Sequence, residues 1–198
     1  MRRISLFVAG FFLACGSIFA QAVQDNVVIP VSVTLNSILR MNVTSGGNIE
    51  FIVNTMEQYQ NGISESPRYT TTFTVASSLE FDVLLNAETD FIGSDDFSAS
   101  NTLTIDNLGY IMEVGGTGIE GTNWDITSTA TVSAVTLAQA PIIQSLGGLG
   151  AGDINQNKFL IKWRLGTMEG TMNTNTLISQ SIPSDRYTTN VFLVLAPQ

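Results

Sequence analysis

The chain has 198 residues, of which 17 are acidic, eight are basic and none is histidine, so its formal net charge is −9 at pH 7. The lack of histidine excludes a Ser-His-Asp triad and zinc sites with histidine ligands. An acidic surface repels nucleic acid, so the composition predicts no nucleic-acid partner.

The first twenty residues have the pattern of a secretory signal peptide. Arg2 and Arg3 form a basic start, residues 4–14 are mostly apolar, and small residues follow up to Ala20. The stretch is too short for a membrane span, and no later run approaches the ~18 apolar residues that a membrane helix needs. The sequence therefore predicts a signal peptide over residues 1–20 and no membrane span.

Removal of that peptide would leave one domain over residues 21–198, with six basic residues against 17 acidic ones and a net charge of −11. The only cysteine is Cys15, so this domain has no disulfide although export is predicted. We expect a secreted, extracellular or cell-surface protein. Two alternatives are a periplasmic location and a lipoprotein that is acylated at Cys15.

Alternating apolar and polar residues predict about nine or ten strands in the domain. The predicted strands cover residues 27–35, 38–43, 49–53, 69–76, 79–85, 102–106, 110–114, 126–136, 159–165 and 187–195. Two hairpins are expected, one joining 69–76 to 79–85 and the other joining 102–106 to 110–114. This pattern predicts an all-β antiparallel β-sandwich of the Ig-like or Greek-key type.

Two stretches remain open at this point. Residues 54–61 could form a helical turn or a long loop, because their apolar spacing is too short to demand a helix. Residues 137–149 could form a short helix or a broken strand.

The first predicted strand is a candidate assembly strand. Its apolar residues recur at every second position, at Ile29, Val31, Val33 and Leu35. Pro30 lacks an N–H, which argues for an edge position. The segment can satisfy its backbone on its own sheet, as an ordinary first edge strand, or by adding to the edge of a neighbouring subunit.

Residues 153–157 have the alternating oxygen-bearing side chains of a calcium loop. The candidate ligands are Asp153, Asn155 and Asn157. However, Lys158 stands where an EF-hand needs glycine, and Arg164 stands where it needs its bidentate acid. A turn held by Asx side chains explains the stretch equally well. The sequence predicts no bound metal and no cofactor.

The remaining routes to catalysis use carboxylates. Asp95–Asp96 and the pair Glu88 and Asp90 fall in one polar loop, and a glycosidase needs only two carboxyl groups at the right separation. A sugar cleft usually presents several aromatic rings, whereas only Trp124 and Trp163 are available as tryptophans. We therefore expect no enzyme activity.

Trp163 lies on a predicted strand with Phe159, Ile161 and Leu165 on the same face. That surrounding predicts a core residue, and a ligand platform is the alternative. On the opposite face of the strand, Lys162 and Arg164 place two positive charges side by side.

The last predicted strand begins with the turn Pro183-Ser184-Asp185. Tyr187 follows this turn, and then a Val-x-Leu-x-Leu run over residues 191–195. The combination resembles the terminal strand of secreted bacterial sandwich domains found in pilus subunits, spore-coat-U-like proteins and WxL surface proteins. Lys162-Trp163-Arg164-Leu165 adds a Trp-x-Leu triplet. The resemblance implies a β-sandwich in a surface or filament structure.

The sequence thus predicts a secreted, non-enzymatic structural or cell-surface protein, such as a pilus-like or filament-like subunit that assembles through edge strands. Its expected partners are further copies of itself or other cell-surface proteins. The alternative is an extracellular sandwich module that binds a carbohydrate or another small ligand. A subunit should self-associate, whereas a binding module should stay monomeric and melt at a higher temperature with its ligand.

Overall fold

The computed structural model describes residues 29–95 and 101–198, so the predicted signal peptide and Asp96 lie outside the described residues. The chain divides into two units, residues 1–35 and residues 36–198. In the first unit, residues 29–35 form no strand, and the side chains of Ile29, Val31, Val33 and Leu35 are 78%, 84%, 78% and 90% exposed. The prediction of a paired strand is therefore wrong for the described part of 27–35. A strand needs a ladder partner, and this segment has none among the residues that the structure describes.

The second unit consists almost entirely of short strands. In chain order they are β1 (Leu39–Ser45), β2 (Thr70–Ser77), β3 (Phe81–Ala87), β4 (Phe91–Gly93), β5 (Thr102–Leu103), β6 (Leu108–Val114), β7 (Trp124–Ile126), β8 (Ser133–Ala134), β9 (Ala140–Ser145), β10 (Lys158–Leu165), β11 (Tyr187–Thr188) and β12 (Val191–Pro197). The α-helix of the described residues is α1 (Met56–Asn61), and single 3₁₀ turns cover Pro67–Tyr69, Ile105–Asn107 and Ile178–Gln180.

These strands form three antiparallel sheets. A five-stranded sheet has the order β1-β2-β10-β6-β8, and a four-stranded sheet has the order β12-β3-β9-β7. A small third sheet has the order β11-β4-β5. The predicted all-β sandwich is confirmed.

The main core lies between the five-stranded and the four-stranded sheets. Both sheets contribute alternate residues that are fully buried, as expected where one face of each strand is covered. The largest of these side chains are Trp124, Phe73, Phe81, Phe159 and Met112. Phe159 packs against both Phe73 and Trp124, with ring centroids 5.4 and 5.0 Å apart.

Both predicted hairpins are wrong. Residues 70–77 and 81–87 do form strands, but β2 pairs with β1 and β10, whereas β3 pairs with β12 and β9. The chain therefore crosses from one sheet to the other between them. Likewise, β5 pairs with β4 and β6 pairs with β10 and β8. Alternation identifies which face of a strand is apolar, but two strands with inward apolar faces fit equally well side by side or across a sandwich.

Three further predictions are corrected or decided by the structure. Residues 49–53 keep their alternation, with Ile49 and Phe51 packed on the core, but they join no sheet. The predicted strand 126–136 is replaced by the short strands β7 and β8. Residues 137–149 contain the strand β9, so the helix alternative is excluded there.

For residues 54–61 the helical turn is confirmed. Thr55 caps α1 by accepting a hydrogen bond from the backbone N–H of Gln58, and the Gln58 side chain accepts one from the backbone of Thr55. This is a reciprocal capping box. The helix ends at Gly62, whose φ of +73° suits glycine.

Candidate assembly surface

The exposed N-terminal segment, residues 29–35, has a pronounced two-faced character. Its four apolar side chains are all at least 78% exposed, and the residues between them are Pro30, Ser32 and Thr34. Single exposed apolar residues are common, but four at strand spacing would form one continuous apolar stripe in a β-strand. The segment contains no charged residue that would oppose its burial.

The strand β12 is an edge of the four-stranded sheet and has unusual chemistry for an edge. All seven of its residues, Val191–Pro197, are uncharged and apolar, and its register with β3 is continuous. Natural edge strands usually carry charges, bulges or central prolines that discourage further pairing. The proline of β12 comes only at its last position.

The backbone of β12 leaves one row of polar groups on its outer side. The backbone carbonyl of Asn190 accepts a hydrogen bond from the backbone N–H of Glu88, and the backbone N–H of Gln198 donates one to the carbonyl of Glu80. The backbone groups of the even-numbered residues therefore point toward β3. Backbone groups alternate sides along a strand, so those of Val191, Leu193 and Leu195 point away from β3. Within residues 29–95 and 101–198, no strand pairs with that side.

The neighbouring edge belongs to the five-stranded sheet. Its strand β1 lies next to β12, but the two are not paired with each other. Unlike β12, β1 carries a charge at Arg40, and its register shifts between Val43 and Ser45. Both features blunt an edge strand.

Between β1 and β12 the core is only partly covered, and we call this gap the open side. Its lining consists of the inward apolar residues of the two strands, Leu39, Met41, Val43, Val191, Leu193 and Leu195. Five of them are half-buried and Val43 is 42% exposed. On the neighbouring strands β2 and β3, by contrast, the side chains of Phe73, Val75 and Val83 are fully buried.

The predicted strand over residues 187–195 is corrected by the structure. It is two strands, because β11 pairs with β4 and β12 pairs with β3. On the outer face of β12, Phe192 is 45% exposed. The sequence feature that could have identified this edge is the uncharged run over residues 191–197, which is apolar on both faces.

The turn that begins this region is held by Tyr187. Its hydroxyl donates to the carbonyl oxygen of Pro183 at 2.8 Å and lies 2.6 Å from Oδ1 of Asn101. A tyrosine that bonds backbone a few residues upstream is a known corner device of β-sandwiches. Burial, and secondarily the charge of Asp185, raises the pKa of Tyr187, so it stays protonated and remains a donor.

The paired cations of β10 form ion pairs with glutamates. Lys162 is bonded to Glu113, and this hydrogen bond is the main reason why its pKa is raised. Arg164 contacts Glu169 at 2.6 Å and Glu65 at 3.4 Å. Three glutamates therefore balance two cations on this face.

The candidate calcium ligands fold into an Asx-type turn. The Oδ1 atom of Asp153 accepts from the backbone N–H groups of Asn155 and Gln156 at 2.9 and 3.0 Å, and Oδ2 accepts from the side-chain amide of Asn155 at 3.0 Å. These bonds, with that of Gln156 first, lower the pKa of Asp153. Asn157 is fully buried: its side-chain amide donates to the Gly150 carbonyl, and its backbone N–H donates to the carbonyl oxygen of Asp153.

Two of the carboxylates considered for catalysis, Glu88 and Asp90, accept hydrogen bonds within the fold. Asp90 accepts from the backbone N–H of Ile105 at 2.7 Å, and Glu88 accepts from Asn190 at 2.6 Å. Over the described ranges, no group of three or more His, Cys, Asp or Glu side chains could hold a metal ion. Trp163 is 6% exposed and donates from Nε1 to Thr71 at 2.8 Å, so the prediction of a core residue is confirmed.

No helix in the part of the chain that the structure describes is long and apolar enough to cross a membrane. Comparison with known proteins provides no relative: no family model matches the chain, and no curated protein matches it.

Proposed function

We propose that this chain is a secreted, non-enzymatic structural subunit of a surface or filament assembly, and that it associates with further copies of itself by β-strand addition. The observation that carries the proposal is the exposed alternating segment 29–35. Fully burying one such apolar side chain contributes about 1.5–3 kcal/mol, so leaving four of them in water is costly. Association would remove that cost.

Strand addition suits the chemistry of both partners. An added strand gains main-chain hydrogen bonds along an edge, and its alternate side chains fill apolar positions. The segment offers four apolar side chains at the required spacing, and the open side offers an apolar lining that is only half-covered. Without a disulfide to reinforce a single subunit, pairing between subunits would add stability to the exported protein.

The test compares two double variants of the full chain. Val31→Asp with Val33→Asp places charges on the apolar face, and we expect it to abolish the self-association of the wild type at micromolar concentration. Ser32→Asp with Thr34→Asp adds the same charges to the opposite face and should associate as the wild type does. Sedimentation velocity measures both. A wild type that stays monomeric, or equal loss in both variants, would contradict the proposal.

A second candidate function rests on a cavity of about 440 Å³ on the outer side of the five-stranded sheet. Most of its lining residues carry a hydroxyl or a charged group, although the lining surface itself is mostly apolar; they are Ser45, Glu65, Ser66, Pro67, Thr70, Thr72, Leu160 and Lys162. Hydroxyl groups beside a cation and a carboxylate could bind the hydroxyls of a carbohydrate or another small ligand. A monomeric protein whose melting temperature rises with such a ligand would favour this candidate.

A further inference from the structure

We propose that the free edge of β12 is the acceptor for residues 29–35 of a second copy, and that the two segments pair in antiparallel orientation. This inference rests on the proposed function and specifies its partner surface. Three independent features of the molecule lead to it: the choice between two edges, the position of Pro30, and the reach of the chain.

The first feature is the difference between β12 and β1. Both border the open side and both have seven residues, so length does not distinguish them. Yet β1 carries Arg40 and a register shift, whereas β12 is uncharged and regular. Because charges and bulges hinder strand addition, β12 is the better acceptor.

The second feature is the match between hydrogen bonding and side-chain direction. The residues of β12 whose backbone points to the free edge, Val191, Leu193 and Leu195, are those that face the core. In an antiparallel pair, directly opposite residues share a face, so Val31 and Val33 would bond β12 while their side chains enter the open side. Pro30 would then point its backbone away from β12, where its missing N–H costs no ladder bond.

The third feature is the reach of the chain, which excludes antiparallel pairing of residues 29–35 with β12 of the same chain. Ile38 is fixed by bonds of its backbone N–H and C=O to Ser78, at the turn where β12 ends, since Pro197 is opposite Phe81. In an antiparallel pair Leu35 would have to lie near Val191, at the other end of β12 and about 20 Å away.

Leu35 and Ile38 are only three residue steps apart, which span at most about 11 Å. The segment of the same chain therefore cannot reach this position, whereas the segment of a second copy can. A tight reversal onto β1 of the same chain is also disfavoured. It would leave Asn36-Ser37 as the two-residue turn, without the glycine that such turns prefer.

Disulfide trapping tests edge, direction and partner together, in the full chain carrying Cys15→Ser so that no native thiol remains. With the segments fully overlapped, Thr34 lies opposite Phe192 as a non-hydrogen-bonded pair with Cα atoms about 4.5 Å apart, close enough for a disulfide. We expect Thr34→Cys with Phe192→Cys to convert most of the assembled protein into covalent dimers and longer ladders on a non-reducing gel. Both side chains are exposed, so neither change should affect folding.

Two matched pairs serve as controls. Thr34→Cys with Ala196→Cys would link only in a parallel pair, because an antiparallel one separates these positions by about 13 Å. Thr34→Cys with Arg40→Cys would link only if β1 were the acceptor, because full antiparallel overlap with β1 places Thr34 opposite Arg40. Each single-cysteine chain measures links formed by random collision.

Several outcomes would overturn the inference while leaving the proposed function intact. They are ladders from either control pair, assembly without any specific link, or a bond closed within one chain, seen as a faster monomer band. A wild-type chain that does not associate would instead remove the proposed function and this inference together.

Discussion

The four-stranded sheet has two edges, β7 and β12, and the core is treated very differently beside them. At β7, Trp124 and Ile126 are 0% and 4% exposed. The chain then crosses directly to the other sheet: Thr127 bonds to Ile142 of β9, and Ser128 accepts from Met112 of β6. At β12, no such crossing occurs within residues 29–95 and 101–198, and the inward residues are half-buried.

This difference indicates that coverage of a sandwich core depends on what the chain does at the sheet edges, more than on the apolar content of the strands. Trp124 and Leu193 both face inward from an edge strand of the same sheet. Trp124 is covered by a chain segment that joins the two sheets, whereas Leu193 has no such cover among the described residues. The proposed strand addition would supply the missing cover from outside the chain.

The largest loss of stability should come from a change at the β7 edge, where the core is fully covered. We expect Trp124→Ala to reduce the free energy of unfolding by about 3–5 kcal/mol, because a fully buried indole leaves a cavity next to Phe159. Urea denaturation measures the loss. Leu79→Ala, at a residue that is 50% exposed, is the control and should stay within about 0.5 kcal/mol of the wild type. A Trp124 variant as stable as its control would show that this edge is not sealed.

A change at the β12 edge should reduce the free energy of unfolding of the monomer by less. Leu193→Ala removes a half-buried side chain, so we expect a loss of roughly 1–2 kcal/mol in unfolding experiments below the association concentration. The loss should grow at concentrations where the wild type assembles, because Leu193 is then fully covered. A loss as large as that of Trp124→Ala at every concentration would erase the distinction between the two edges.

A smaller effect is expected on the outer face of the five-stranded sheet. Glu65 lies 3.9 Å from Lys162 and 3.4 Å from Arg164, and it is partly exposed. Glu65→Gln should therefore reduce the free energy of unfolding by less than about 1 kcal/mol, and the reduction should shrink at high salt. Melting curves at low and high salt measure it, and a loss that does not depend on salt would contradict an electrostatic origin.

The contribution of the Asp153 carboxylate to stability should be lost in acid. Hydrogen bonds from Gln156 and Asn155 lower the pKa of this exposed carboxyl in the folded state. Its contribution is therefore present above the unfolded pKa of about 3.9 and is lost as pH falls through the lower folded value. Asp153→Ala should match the wild type most closely at the lowest pH. A difference confined to neutral pH and above would rule out this carboxyl as its cause.

The smallest expected effect is that of metal removal, which should leave the melting temperature unchanged. The oxygens of Asp153 already accept three hydrogen bonds within the turn, so the turn needs no cation to hold it. Calorimetry with and without a chelator measures this. A clear fall in melting temperature, restored by added calcium, would establish a metal site that the turn alone does not explain.

The sequence by itself determined the class of fold and most of the strands. Alternation over residues 159–165 predicted an inward face of Phe159, Ile161, Trp163 and Leu165, and all four are buried. Such predictions hold because the side chains of a strand alternate whatever its neighbours are. For the same reason, the shared face of Val191, Leu193 and Leu195 followed from local spacing.

Only the tertiary structure decided which strands are neighbours. The short links after β2 and before β6 suggested hairpins, yet each link leads to a different sheet, because an apolar face can be covered across the sandwich as well as beside it. The same limit applies to residues 29–35. Their alternation indicated a strand, but a ladder forms only where a free edge lies within reach. Because Ile38 is fixed near the end of β12, an antiparallel position beside β12 is too far away for residues 29–35 of the same chain.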